Sequence, residues 1–97
     1  MIAYASRTGT RRNLAALRAA GWRLMVSARG VLRTEGFPYS LDNGAWTAHQ
    51  RGEPFDFDAF GRAVDMLGHD SDFIVIPDRV ADARTTMRWA DEWLPRL

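Results

Sequence analysis

Short apolar runs alternate with segments of helical character along this chain. Each apolar run has four to seven residues, the length of a buried strand, and is followed by turn or loop residues. The predicted strands are 2–6, 22–28, 39–42 and 73–77, and the predicted helices are 11–20, 57–67 and about 81–94. Strands that alternate with helices pair in parallel through right-handed crossovers. We therefore expect one α/β domain over residues 1–97, in the order β-α-β-β-α-β-α, with a small, mainly parallel sheet.

Residue types at the ends of these segments support the assignment. Thr10 is a suitable N-cap for the first helix, and Gly21 suits the left-handed position just past its end. Asp56 or Asp58 can cap the second helix in the same way. The first two helices are thus bounded by residues that satisfy backbone groups at helix ends.

The last predicted helix carries two apolar stripes at different angles. One stripe consists of Val80, Ala83, Met87, Ala90 and Leu94, and the other of Trp89 and Trp93. Because a helix at the edge of a small monomer needs only one apolar face, two faces indicate a second packing partner. The alternative is one wide stripe at a core edge with half-exposed indoles, and the sequence leaves both open.

Charge is distributed unevenly, although the net charge is only +1. All 13 basic residues are arginine; seven of them lie in residues 1–33, where there is no acidic residue, and all 12 acids follow from Glu35 onward. A solvated basic face is the simplest interpretation. Such a face can also meet phosphate or the acidic part of a second copy.

Composition excludes several classes of protein and site. The absence of Cys rules out disulfides and thiolate metal sites, and no apolar run approaches the roughly 20 residues that span a bilayer. The chain begins without the charged start and apolar stretch of a signal peptide, so we expect a cytoplasmic protein with no membrane contact. Neither His49 nor His69 lies in the sequence context of a serine hydrolase, and we expect no metal and no cofactor.

Two acidic residues lie at the carboxyl ends of predicted strands. Asp42 ends the strand 39–42, and Asp78 follows the strand 73–77. Binding and catalytic groups of α/β proteins cluster at this edge of the sheet, so we expect both carboxylates in one polar pocket. The structural alternatives are an Asx-turn at Asp42, which precedes the turn-like pair Asn43-Gly44, and a backbone-capping role for Asp78.

The loop between the first strand and the first helix is a candidate anion site. It carries Arg7, Thr8, Arg11 and Arg12, and a helix N-terminus attracts phosphate. The loop lacks the glycine pattern of a P-loop or dinucleotide fingerprint. We therefore expect a general phosphate contact here rather than a nucleotide site.

The segment Tyr39-Ser40-Leu41-Asp42-Asn43-Gly44-Ala45-Trp46 resembles a motif of the tRNA-guanine transglycosylase superfamily. The strand Ile74-Val75-Ile76-Pro77-Asp78 is similar to a later strand of that family, which also ends in Asp. The opening residues 4–10 look like those of phage proteins that carry the same Asp-Asn-Gly-Ala-Trp signature. The resemblance implies a sheet that corresponds to about half of a (β/α)8 barrel.

The resemblance also implies roles for single residues. Asp42 would contact or deprotonate an exchanged base, and Asp78 would recognise a guanine-like edge, because an ionised carboxylate accepts two N–H donors. Asn43 and Gly44 would lie against the base, where glycine permits close approach of the backbone. Trp46 or Tyr39 could stack on the ring.

The sequence also departs from the family pattern. The nucleophilic Asp of the family lies on a strand that follows the second motif. The tRNA enzymes of the family carry a Cys/His zinc site, whereas this chain has no Cys. A closed barrel needs about 200–250 residues, whereas this chain has 97. We therefore expect a base- or nucleic-acid-binding domain that is not catalytic alone. A half-barrel leaves an open sheet edge and a bare apolar face, which a second copy or another protein would cover.

A second interpretation belongs to another functional class. A 97-residue chain with phage-like resemblance could be a protein-binding inhibitor of a bacterial defence complex, similar to an anti-CRISPR protein. Its anchors would be Trp89, Trp93, Trp46 and the Arg-rich first third, because Trp and Arg dominate interface hot spots.

Overall fold

A computed structural model describes residues 2–97 and confirms the predicted α/β class. The strands are β1 (Tyr4–Ser6), β2 (Arg23–Ser27) and β3 (Tyr39–Asp42), and the helices are α1 (Arg11–Ala19), α2 (Ala45–Gln50), α3 (Phe57–Leu67) and α4 (Ala83–Trp93). Short 3-10 turns extend α3 through Gly68–Asp70 and α4 through Leu94–Arg96. The pattern of the sequence does not predict α2. None of the helices in residues 2–97 has the length and apolarity needed to cross a membrane.

The sheet contains three parallel strands in the order β1-β2-β3. The predicted fourth strand is reduced to a single parallel bridge between Leu41 and Ile74. Two backbone hydrogen bonds support this bridge: the Leu41 amide donates to the Phe73 carbonyl over 3.1 Å, and the Val75 amide donates to the Leu41 carbonyl over 2.9 Å. Pairing stops soon afterwards, because β3 ends at Asp42 and Pro77 has no N–H to donate.

Helices α1 and α3 pack against one face of the sheet. Leu24, Val26 and Leu41 are at most 1% exposed on that face and belong to the same core as Leu14 of α1 and Phe60 of α3. Because side chains alternate along a strand, Met25, Ser27, Ser40 and Asp42 project from the opposite face. This second face carries the polar residues at the carboxyl ends of β2 and β3.

The end of α1 confirms the predicted role of Gly21. This residue has a φ of 76°, its amide donates to the Arg18 carbonyl, and the next amide, of Trp22, donates to the Leu17 carbonyl. These two bonds form a Schellman motif, which satisfies the last carbonyls of the helix. Asp56 likewise caps α3 through its side chain, which accepts from the Ala59 amide over 2.9 Å. Thr10 occupies the N-cap position of α1, but its side chain makes no capping hydrogen bond.

The packing of α4 buries Trp93 of one predicted stripe and leaves much of the other stripe exposed. Trp93 is only 6% exposed and packs edge-on against Phe60, 4.8 Å away between ring centroids. Met87 and Leu94, from the other stripe, are 69% and 55% exposed. Trp93 occupies the buried position because an indole removes more apolar surface from water than the side chain of Met or Leu does. The expectation of Trp93 as an exposed interface anchor is therefore wrong.

Most arginines of the basic first third pair with groups from later in the chain. The ion pairs are Arg7–Glu35 and Arg23–Asp72 at 2.8 Å, and Arg29–Glu53 at 2.9 Å. Arg18 donates to the Glu35 carbonyl over 2.6 Å. The pKa of Asp72 is held below its usual range, first by the hydrogen bond from the Tyr4 hydroxyl and then by the Arg23 guanidinium. Much of the basic face is thus neutralised within the fold.

Gly44 connects β3 to α2 in a conformation that a larger residue would strain. Its φ is 81°, and a Cβ added there would lie 2.5 Å from Cγ of Arg29. Arg29 cannot swing away freely, because Glu53 and Asp56 hold its guanidinium.

We expect Gly44→Ala to lower the free energy of unfolding by about 1–2 kcal/mol from the left-handed backbone, and by a further ~1–3 kcal/mol from the clash with Arg29. Gly52→Ala is the matched control, because Gly52 has a φ of 66° and open space around its Cα. Urea unfolding of both variants measures the difference. Equal losses would show that Arg29 does not restrict this turn.

We expect Trp93→Ala to cost about 3–5 kcal/mol of unfolding free energy, because it empties a buried aromatic site. Met87→Ala on the same helix should change stability by less than ~0.5 kcal/mol, because the side chain faces solvent. Thermal and urea unfolding of the two variants provide the comparison. A small loss for Trp93→Ala would contradict the burial of this indole.

Candidate functional site

The carboxyl end of β3 is joined to the segment 73–78 by the side chain of Asn43. Asn43 is 3% exposed, and its Nδ2 donates to the Ile76 carbonyl over 2.6 Å and to Oδ1 of Asp78 over 2.5 Å. Its Oδ1 accepts from the Ala45 amide, in the first turn of α2, over 2.8 Å. One buried amide therefore links the strand, the following helix and the Asp78 carboxylate, with donors and acceptors matched.

Asp42 points away from this network. Its Oδ2 accepts from the Gly44 amide over 3.4 Å, which is the Asx-turn contact that the sequence left open. Asp42 also lines a small cleft of about 250 Å³ on the face of the sheet that α1 and α3 do not cover. The cleft is lined by Ser6, Arg7, Met25, Ser27, Gly30, Val31 and Asp42.

Asp78 lines a different and larger cleft, with a volume of about 600 Å³. This cleft lies between α2, residues 52–57, the segment 78–80 and Trp89 of α4. It is lined by Ala45, Ala48, His49, Gly52, Glu53, Pro54, Phe55, Phe57, Asp78, Arg79, Val80 and Trp89. The expectation of one pocket shared by Asp42 and Asp78 is not met. Asp42 projects from a face of β3, whereas Asp78 lies beyond the last paired residue of its segment, next to α2.

Three aromatic residues, Phe55, Phe57 and Trp89, line the larger cleft together with Asp78 and form its aromatic wall. The ring centroids of Phe55 and Trp89 are 5.5 Å apart, and those of Phe57 and Trp89 are 4.9 Å apart. Glu53, Asp78 and Arg79 supply charge at the same cleft. The combination of apolar ring faces with a few charged groups is typical of small-molecule sites.

The two aromatic residues predicted to stack on a base have other environments. Trp46 is 59% exposed on α2, 5.4 Å from the His49 ring, and it lines neither cleft. Tyr39 is buried, its hydroxyl donates to the Leu67 carbonyl over 2.6 Å, and burial raises its pKa. Gly44 is buried under Arg29 and shapes the turn.

The predicted phosphate contact is only partly available. Arg7 is committed to Glu35 and to the Arg33 carbonyl, and Oγ1 of Thr8 accepts from the Thr10 amide over 3.3 Å. Arg11 and Arg12 are exposed in the first turn of α1. These two remain the candidates for an external anion.

Sequence reasoning missed most of the residues that form the larger cleft. The 51–54 segment predicts only a turn, yet it brings Glu53 and Pro54 to the cleft. The aromatic pair Phe55 and Phe57, two residues apart at the start of a predicted helix, was the available signal. Across residues 2–97, no group of three or more His, Asp and Glu side chains is arranged to hold a metal ion.

Comparison with known proteins adds no assignment. No family model matches the chain, and no curated protein or solved structure matches it significantly.

Proposed function

We propose that this chain binds a guanine-like base in the larger cleft, with Asp78 as its polar anchor. The observation that carries the proposal is the Asp78 carboxylate, which Asn43 holds in place beside the aromatic residues Phe55, Phe57 and Trp89. Because Asn43 already holds the Asp78 carboxylate, that side chain loses little conformational entropy when a ligand binds, which favours affinity.

The chemistry of the cleft matches the edge of a guanine-like ring. That edge presents a ring N–H and an exocyclic amine, and an ionised carboxylate can accept from both. Asn43 takes one acceptor position on Oδ1 of Asp78, so the carboxylate keeps capacity for a ligand. The aromatic wall offers apolar surface to the ring, and the volume of about 600 Å³ lies in the usual range for ligand sites.

On this proposal the chain is a binding domain related to the transglycosylase-like barrels that its motifs resemble. The consecutive parallel order β1-β2-β3, continued by the bridge to Ile74, is compatible with half of such a barrel. On this proposal the chain recognises a base or a nucleic acid, with Arg11 and Arg12 as phosphate contacts, and base exchange would require a nucleophile from a second polypeptide. Asp42 then stabilises the turn at Gly44 and lines the smaller cleft.

A protein-binding role, as in a phage-type inhibitor of a bacterial defence complex, is the second candidate. It is favoured by the exposure of Trp46, at 59%, and of Met87, at 69%. Its anchors would be these residues in place of the buried Trp93. Such an inhibitor would show no affinity for bases.

We expect Asp78→Asn to weaken binding of 7-deazaguanine and guanosine by about tenfold or more, because a hydrogen bond to a charged group contributes about 1.5–3 kcal/mol. The variant should fold normally, because the new amide oxygen can still accept from Asn43. Isothermal titration calorimetry measures the affinity, with uridine as the ligand control.

Asp42→Asn is the matched control variant, because Asp42 lines the other cleft. We expect its affinity to equal that of the parent chain. Loss of binding in Asp42→Asn with full binding in Asp78→Asn would move the site to the smaller cleft. No heat with either purine ligand from a folded parent chain would reject the proposed function.

A further inference from the structure

The outward side of α4 carries an apolar stripe in which Ala83, Met87 and Leu94 are exposed and Ala90 is half-buried. Ala83, Met87, Ala90 and Leu94 follow one another at intervals of four, three and four residues, which is the spacing of a helix-pairing seam. Met87 and Leu94 are 69% and 55% exposed. The two alanines between them are small enough for another helix to approach closely.

Exposed charges of opposite sign divide between the two halves of α4. Arg84 and Arg88 lie in the first half of α4, whereas Asp91 and Glu92 lie in its second half. All four side chains are exposed, and none forms an ion pair within the described part of the chain. The helix surface is therefore basic at one end and acidic at the other, with an apolar centre at Met87.

We propose that α4 pairs in antiparallel orientation with α4 of a second copy of this chain. A two-fold axis near Met87 would bury the apolar stripes of both copies against each other. It would also bring Arg84 opposite Asp91 of the partner subunit, and Asp91 opposite the partner's Arg84. A surface whose ends are complementary under two-fold rotation matches itself, as an isologous interface requires.

The charge pattern selects both the partner and the orientation. A parallel pair would bring the two basic halves together and the two acidic halves together, which is repulsive. An unrelated partner would need the same reversed charge order by coincidence, whereas a second copy has it by symmetry. The contact is a single helix of 11 residues, so the dimer is weak and forms at high concentration. This inference is independent of base binding, which uses the cleft on the other side of α4.

Sedimentation velocity of the full chain, from about 10 µM to 1 mM, tests the pairing directly. We expect the mass to rise with concentration from 11.0 kDa towards twice that value. Met87→Lys should weaken the dimer by roughly a hundredfold, because it places a charge in the buried seam. Met66→Lys is the matched control, since Met66 is an exposed methionine, 64% accessible, on α3.

A charge reversal tests the orientation. Arg84→Asp should weaken the dimer by roughly tenfold, because two attractive pairs become repulsive. Adding Asp91→Arg to the same chain should restore the original affinity, since both pairs then form with their signs exchanged. A monomer at every concentration, or a dimer that survives Met87→Lys, would overturn the proposal. Failure of the second substitution to restore a dimer lost in the first would overturn the antiparallel arrangement.

Discussion

The side-chain amide of Asn43 is the contact on which both the fold and the candidate site depend. It is buried, and its three hydrogen bonds reach the Ile76 carbonyl, the Asp78 carboxylate and the Ala45 amide. The backbone ladder between β3 and the segment 73–78 is only one bridge long. Backbone pairing this short cannot hold the side chain of Asp78, which lies beyond its end. The side-chain amide of Asn43 holds it instead. Without it, Asp78 would keep its place in the sequence but lose its fixed position at the larger cleft.

The order of elements could be predicted because periodicity and end residues agree locally. Gly21 ends α1 in the left-handed conformation that the sequence indicates, and Asp56 caps α3. Two features depend on tertiary packing and could not be predicted in this way. The sequence does not say which stripe of α4 meets Phe60, and the helix α2 is only six residues long, too short to show a period.

The strand ends predict the two acidic residues of the candidate site, but they do not predict the clefts in which these residues lie. Asp42 and Asp78 do lie near the same edge of the sheet, as parallel pairing requires. Their separation into two clefts follows from an offset of three residues, because Asp42 is one residue past the Leu41–Ile74 bridge and Asp78 is four residues past it. Asp42 is still part of β3, whereas Asp78 follows Pro77 and lies beyond the paired segment. The aromatic wall comes from residues 55–57 and from α4, which the strand pattern does not connect to Asp78.

An NMR titration with 7-deazaguanine tests the central claim most directly, because each cleft contains its own backbone amides. If the base binds against Asp78, the amide signals of Glu53 and Arg79 will shift with ligand concentration, and those of Ser27 and Gly30 will stay in place. Shifts confined to Ser27 and Gly30 would place the ligand beside Asp42 instead. That result, or the absence of any shift, would contradict the assignment of Asp78 as the anchor of a base-binding cleft.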